Sequence, residues 1–89
     1  MSKKYFIDVR EPHEFTEGHV KDAINLPLSK LSSSPHQVLK DIPINEEVDI
    51  IVYCRSGGRA GVAISIMSSF GYKKLTNGIN KQTVERLYV

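Results

Sequence analysis

Short runs of apolar residues alternate along the chain with segments in which apolar residues recur at every third or fourth position. The short runs predict four strands, over residues 5–9, 23–27, 48–53 and 72–77. The third run, VDIIVY, is the clearest because it is nearly continuous and rich in β-branched residues. Such a run is typical of a strand buried on both faces of a parallel sheet.

Segments with the helical period follow the strands. The first covers residues 11–19, with Pro12 at an opening position and Gly18 near its end, and it predicts a short helical turn. The last covers residues 80–88 and predicts a terminal helix.

The start of one further helix is marked by its own residues. Ser34 has the position of an N-cap, Pro35 that of the first helical residue, and Gln37 completes a Ser-x-x-Gln capping box. The sequence therefore predicts a helix that begins after Ser34. Its apolar face would consist of Val38, Leu39 and Ile42.

A longer amphipathic helix is predicted behind the third strand and a glycine-rich loop. It begins at Arg59 or Ala60, and Gly71 has the position of the C′ residue that ends it. Its apolar residues are spaced by three and four: Ala60, Ala63, Ile64, Met67 and Phe70.

The alternation of strands and helices predicts an α/β fold, with a small, mostly parallel sheet of four or five strands flanked by helices. The chain has 89 residues, which favours a single domain over residues 1–89.

Composition narrows the classes of function. The net charge of +2 is too small to indicate nucleic-acid binding, and no apolar stretch is long enough for a membrane helix. The apolar run near the N-terminus is too short for a signal peptide, so the expected location is the cytoplasm. A single cysteine cannot form a disulfide within the chain.

That cysteine, Cys54, lies in the segment VYCRSGGRAG, directly after the strand over 48–53. Ligands of open α/β sheets bind beyond the carboxyl ends of the strands, which is where Cys54 would lie. The small residues at 56–58 allow the backbone to curl so that its amides converge on an anion. Arg55, Arg59 and the N-terminus of the following helix all favour a thiolate. The segment therefore predicts a reactive thiolate beside an anion cradle.

Other interpretations of this segment are weaker. A lone cysteine at the end of a strand is often only a small buried apolar residue, but two flanking arginines and the SGG turn argue against that here. No Walker lysine follows the glycines, and SGGRAG lacks the G-x-G-x-x-G spacing. There is no C-x-x-C pair for a dithiol redox cycle.

Two segments together resemble the rhodanese family. FIDVREPHEFTEGHVKDAINLPL is similar to the early signature of that family, and IVYCRSGGRA resembles its active-site strand and loop. LTNGI lies where the family usually has a Gly-Gly-Ile or Gly-Gly-Leu turn. The resemblance spans about residues 5–80, with both motifs in the right order.

The resemblance implies a rhodanese-like fold and sulfurtransferase activity. A sulfane sulfur, typically from thiosulfate, would be carried as a persulfide on Cys54 and passed to a thiophilic acceptor such as cyanide or a thiol. The residues implied to bind the substrate are Arg55, Ser56, Gly57, Gly58, Arg59 and Ala60. No cofactor or metal is implied. A thioredoxin-like or other thiol protein is a further candidate partner, and the expected state is a monomer or weak dimer.

The chain departs from the family pattern in two places. It starts almost at the Asp-Val-Arg segment, as a minimal member similar to the small phage-shock-type sulfurtransferases would. Asn77 replaces the first glycine of the late turn, and the tryptophan that usually follows is absent. These changes affect the rim of the pocket and the choice of acceptor.

Two other classes of function share parts of this chemistry. Cysteine phosphatases and some arsenate reductases use a Cys-x5-Arg loop, whereas four residues separate Cys54 from Arg59 here. A carrier or docking module would receive its persulfide sulfur from a partner protein. It would share only the reactivity of Cys54 with a thiosulfate sulfurtransferase.

The polar residues outside the loop are expected to be structural. An ion-pair cluster is predicted at the first strand–helix corner, formed by Asp8, Arg10, Glu11 and Glu14. One connection from this cluster to the Cys54 loop is considered, a pair between Asp8 and Arg59. The spacing of the three histidines fits no zinc motif. His19 is expected to brace a turn by hydrogen bonds.

Overall fold

The computed structural model describes residues 3–45 and 47–89. Met1 and Ser2, which belong to the N-terminal segment considered above as a leader, lie outside this range. Four strands form one all-parallel sheet in the order β2-β1-β3-β4, which confirms the predicted α/β class. The strands are β1 (Lys3–Asp8), β2 (Ile24–Asn25), β3 (Val48–Cys54) and β4 (Leu75–Asn80).

The described residues form five helices: α1 (Pro12–Thr16), α2 (Leu28–Ser33), α3 (Pro35–Leu39), α4 (Gly58–Ser69) and α5 (Lys81–Tyr88). The helices α2, α3 and α4 pack on one face of the sheet and α5 on the other, whereas α1 buries no residue. Within the described residues, no helix is long and apolar enough to cross a membrane.

The strand β3 lies between β1 and β4 and is buried on both faces, as its continuous apolar run predicts. Ile50, Val52 and Cys54 face one apolar cluster, which also contains residues of α2, α3 and α4. Ile51 and Tyr53 face a second, smaller cluster, which also contains Val20 and, from α5, Val84. This alternation follows from the two-residue period of a strand, and it places Cys54 on the face covered by α4.

The segment between β2 and β3 differs from the prediction. It contains two short helices, α2 and α3, whereas the sequence predicted only the one that begins after Ser34. The additional helix α2 belongs to the core, since its Leu31 is fully buried in the larger cluster. The predicted capping box at Ser34 does not form: Ser34 has φ −143° and ψ 61°, and its side chain makes no capping hydrogen bond. The physical reason is that Ser34 is also the C-cap of α2, where its N–H donates to the Lys30 carbonyl at 2.8 Å, and its ψ of 61° is far from the extended value that directs an N-cap side chain at the N–H groups of the next helix.

The helix α4 begins at Gly58, one residue before the predicted start, and ends as predicted. Gly71 has φ +103° and is the C′ residue. Its N–H donates to the Ser68 carbonyl at 3.1 Å, and the Tyr72 N–H donates to the Met67 carbonyl at 3.3 Å. These two bonds form a Schellman motif, which satisfies the last carbonyls of the helix.

The last strand was predicted three residues too early, over 72–77. Tyr72 instead packs into the larger cluster with its hydroxyl bonded to the Ile42 carbonyl at 2.5 Å, and β4 begins at Leu75. A bulge at Gly78 shifts the register between β3 and β4. A Cβ on Gly78 would lie 2.5 Å from Val84 Cγ2, so the close packing of α5 against this strand requires glycine.

Candidate active site

Cys54 is the last residue of β3, and the chain turns after it into α4 through three loop residues. Gly57, the N-cap of α4, has φ +95°, a left-handed conformation that a side chain would strain. Because of this turn, the N-terminus of α4 folds back over the cysteine. All six residues predicted to surround Cys54 therefore lie in this loop and the first turn of α4: Arg55, Ser56, Gly57, Gly58, Arg59 and Ala60.

The Cys54 thiol is buried, with 2% of the residue exposed, and it is surrounded by backbone N–H groups. The Gly57 N–H donates to Cys54 Sγ at 3.1 Å. Burial raises the pKa of the thiol, but hydrogen bonds from backbone amides outweigh burial, and the pKa of Cys54 is lower than its ordinary value. These amides belong to Ala60, Ser56, Gly57 and Arg59. The geometry therefore favours a thiolate held by backbone dipoles.

A polar cavity of about 320 Å³ opens beside Cys54. It is formed by the loop after Cys54, the residues that follow β1, the end of β4, and the helices α1 and α5. Its lining residues are Arg10, Glu14, Glu17, Cys54, Arg55, Asn80, Lys81 and Gln82. The cavity is thus rich in charge of both signs, and it is large enough for a small anion next to the thiolate.

The two loop arginines have different environments, which the sequence did not indicate. Arg55 is exposed and lines the cavity, and no carboxylate in the described parts of the chain pairs with it. Arg59 forms a two-bond ion pair with Glu14 of α1, with Nη1–Oε1 and Nη2–Oε2 distances of 2.8 and 3.0 Å. This pair lowers the pKa of the Glu14 carboxyl to about 2. Arg59 therefore serves first to fasten the loop to α1.

The considered Asp8–Arg59 link is not formed. Asp8 is fully buried and binds Arg10, with an Nη2–Oδ2 distance of 2.7 Å. Arg10 also donates to the Gly18 carbonyl at 2.7 Å. Of the four residues predicted to form an ion-pair cluster at this corner, only Asp8 and Arg10 pair with each other. Glu14 pairs with Arg59 of the loop, and Glu11 accepts hydrogen bonds from Ser29 Oγ at 2.9 and 3.2 Å.

The histidines take no part in the cavity lining. His19 Nδ1 lies 2.9 Å from the Phe15 carbonyl and its ring stacks on that of Phe15, so it braces the end of α1 as expected. Among residues 3–45 and 47–89, no group of three histidine, cysteine or acidic side chains is arranged to hold a metal ion.

Several site residues were missed by the sequence analysis. Glu17, Asn80, Lys81 and Gln82 line the cavity, although they lie 26 or more residues from Cys54 in the chain. The available signal was the strand pattern: β4 pairs with β3 in parallel, with Asn80 opposite Cys54. The ends of neighbouring parallel strands meet at one sheet edge, but the misplaced β4 concealed this.

The sequence pattern described as Rhodanese-like domain matches residues 1–81 of the chain. The chain belongs to the rhodanese family. A solved structure described as a rhodanese with anions from E. coli has a TM-score of 0.72 and 31% identity, covering 90% of this chain and 89% of that one. The structural comparison therefore confirms the rhodanese fold.

Some curated relatives of this rhodanese carry sulfurtransferase names, and others are uncharacterized. The thiosulfate sulfurtransferase PspE of Escherichia coli is 32% identical over 74 residues, covering 83% of this chain and 67% of the relative. A thiosulfate:glutathione sulfurtransferase of Saccharomyces cerevisiae is 36% identical over 73 residues, covering 74% of this chain and 52% of the relative. The chain spans 55% of the length of two other relatives, from Schizosaccharomyces pombe and Bacillus subtilis.

Proposed function

We propose that this rhodanese is a sulfurtransferase that moves a sulfane sulfur from thiosulfate, or a similar donor, through a Cys54 persulfide to a thiophilic acceptor. The observation that carries the proposal is the buried Cys54 Sγ, ringed by backbone N–H groups at the end of a polar cavity. Such a ring favours a sulfur anion without a general base, since the thiolate is the nucleophile.

The first half-reaction forms the persulfide. The Cys54 thiolate attacks the outer sulfur of thiosulfate, a new S–S bond forms, and the old S–S bond breaks. Its electron pair leaves with sulfite, and the terminal sulfur of the persulfide keeps the negative charge that it carried as the outer sulfur of thiosulfate. The converging amides of residues 56–60 would stabilise that terminal sulfur, as preorganised donors do for a developing anion.

The second half-reaction regenerates the thiolate. Cyanide attacks the terminal sulfur, thiocyanate leaves, and the electron pair of the broken S–S bond returns to Cys54. A thiol acceptor would react in the same way after losing its proton. The name of the yeast relative, a thiosulfate:glutathione sulfurtransferase, supports a small thiol as acceptor.

The loop arginines would have separate roles in this chemistry. Arg55 is exposed and lines the cavity, so we expect its guanidinium to bind the sulfonate oxygens of thiosulfate and the leaving sulfite. Arg59 would keep the loop amides in place through its ion pair with Glu14. Because Glu14 largely neutralises its charge, Arg59 would contribute less than Arg55 to anion binding. Ser56, Gly57, Gly58 and Ala60 would contribute backbone rather than side chains.

The test is the mass of the intact protein after incubation with thiosulfate and removal of excess reagent. We expect the mass of one added sulfur atom, lost on treatment with cyanide as thiocyanate appears. The Cys54→Ser variant is the matched control, because serine fills nearly the same volume and cannot form a persulfide. It should gain no sulfur and should keep the wild-type unfolding midpoint.

Two results would argue against the proposal. Equal thiocyanate production by wild type and Cys54→Ser would exclude the covalent step. Failure of wild type to accept sulfur from thiosulfate, with persulfide formed only when a protein persulfide is supplied, would favour a carrier or docking module.

A further inference from the structure

Asn77 of β4 connects two backbone segments through the two ends of its side-chain amide. Its Nδ2 donates to the Gly57 carbonyl at 3.0 Å, and its Oδ1 accepts the Ile79 N–H at 2.9 Å. Ile79 has φ +73°, which is unusual for a β-branched residue. Because the bond to Ile79 fixes the orientation of the amide, the Nδ2 group stays directed at the Gly57 carbonyl.

Gly57 is the residue through which this contact reaches the thiol. Its N–H donates to Cys54 Sγ at 3.1 Å, while its carbonyl accepts both the Asn77 amide and the Gly61 N–H, the latter at 2.9 Å. With φ +95° and no side chain, Gly57 could rotate readily if its carbonyl were released. Its carbonyl bonds therefore limit how its N–H can turn.

We propose that Asn77 is a positioning residue, which holds the Gly57 carbonyl outward so that the Gly57 N–H stays directed at Cys54 Sγ. Asn77 stands where the resemblance to the family leads one to expect a glycine, and a glycine has no side chain to make this contact. The role is thus a property of this chain's own sequence. The catalytic consequence rests on the proposed function, but the effect on the thiolate does not.

The experiment compares the pH dependence of Cys54 alkylation by iodoacetamide in wild type, Asn77→Ser and Asn77→Gly. Serine keeps a short oxygen near the Ile79 N–H but cannot reach the Gly57 carbonyl, whereas glycine removes both contacts. We expect the alkylation midpoint to rise by about 0.5–1 pH unit in both variants, because one donor to the thiolate is lost or misdirected.

Asn45 provides a matched control. Its Oδ1 accepts the Glu47 N–H at 2.8 Å, the same local bond to the second residue along that Asn77 makes. It precedes β3, at the opposite end of that strand from Cys54. The Asn45→Ser variant should keep the wild-type alkylation midpoint, even if its thermal midpoint falls.

The outcomes separate a positioning role from a structural one. A lower thermal midpoint with an unchanged alkylation midpoint in both Asn77 variants would overturn the proposal. If the alkylation midpoint rises in the Asn77 variants but the wild type forms no persulfide, the positioning role is supported and the sulfurtransferase function is refuted. If the serine variant does not fold, the glycine variant alone decides, since glycine fits the backbone of this turn.

The kinetic readout adds a second criterion. If the chain transfers sulfur, the Asn77 variants should lose about 3- to 10-fold in kcat/KM for thiosulfate at a pH below the alkylation midpoint, because the thiolate fraction of the free enzyme falls by that factor. The loss should disappear well above the alkylation midpoint of the variants, since Arg55 and the cavity are untouched. A loss of kcat/KM that persists unchanged at high pH would contradict the proposal.

Discussion

At the scale of single residues, the chemistry of the site comes from backbone groups more than from charged side chains. Arg59, which the sequence analysis named among the charges that favour a Cys54 thiolate, forms an ion pair with Glu14. The thiol is instead held by amides of the loop and of the first turn of α4. A thiolate stabilised in this way depends on loop geometry and should respond little to salt.

Cys54 should ionise below the ordinary cysteine value of about 8.5. The physical reason is that backbone N–H donors outweigh the cost of burial, which lowers the pKa of the thiol. The rate of alkylation by iodoacetamide, measured against pH, should have its midpoint below that of the same chain in denaturant, where the loop is lost. Coincident midpoints for the folded and denatured chain would contradict the amide-cradle interpretation.

At the scale of elements, the strand–loop–helix unit β3–α4 forms from local signals, and its neighbours complete it. The apolar run, the glycines and the helical period all lie within residues 48–71. The small helix α2 was hidden by its composition, since three of its six residues are serines. The burial of Leu31 in the larger cluster, with Leu28 packed against it, shows that this helix belongs to the core.

Leu31→Ala should destabilise the fold by about 2–5 kcal/mol, because it leaves a cavity in the larger apolar cluster. The measurement is the free energy of unfolding from urea titration. Leu87→Ala on α5 is the matched control: Leu87 is 60% exposed, so the same truncation should change stability by no more than about 0.5 kcal/mol. Equal effects of the two substitutions would show that α2 does not pack as described.

At the scale of the whole molecule, the Glu14–Arg59 pair joins helices α1 and α4 across the carboxyl edge of the sheet. The two residues are 45 positions apart in the chain. Cys54 and its loop come from the middle of the sequence, whereas Glu17 and Lys81 come from either side of it. The cavity therefore depends on the register of β1, β3 and β4, because its lining residues lie at or just beyond the carboxyl ends of these strands and on α1 and α5.

The Glu14–Arg59 pair should make stability fall with acid in a defined window. The pKa of Glu14 is lowered from 4.5 to about 2 in the folded chain, so its contribution is complete above pH 4.5 and is lost as the pH falls towards 2. Urea midpoints at pH 6 and pH 3 should differ less in Glu14→Gln than in wild type, because glutamine does not titrate.

Glu85→Gln is the control for this window. Glu85 forms an exposed pair with Lys81 within α5, with its side chain 41% exposed, so its removal should leave the wild-type acid dependence largely intact. An unchanged difference between the two pH values in Glu14→Gln would show that the pair does not couple the loop to α1.

The sequence by itself determined the fold class, the position of the proposed nucleophile Cys54 and the loop around it. These features depend on short-range patterns: the β-branched run of β3, the small residues at 56–58 and the spacing of apolar residues in α4. A parallel α/β sheet then puts the end of β3 at the binding edge whatever the remaining chain does. The predicted loop residues consequently lie around Cys54 in the structure.

Only the tertiary structure decided which groups complete the site. The partner of Arg59, the contact between Asn77 and Gly57, and the cavity wall from α5 join residues that are 20 or more positions apart. Whether such groups meet depends on strand register and on the bulge at Gly78, where Val84 and Ile51 pack too closely for a side chain. No local pattern encodes that contact, because it is the close approach of α5 to the sheet that leaves no room for a side chain.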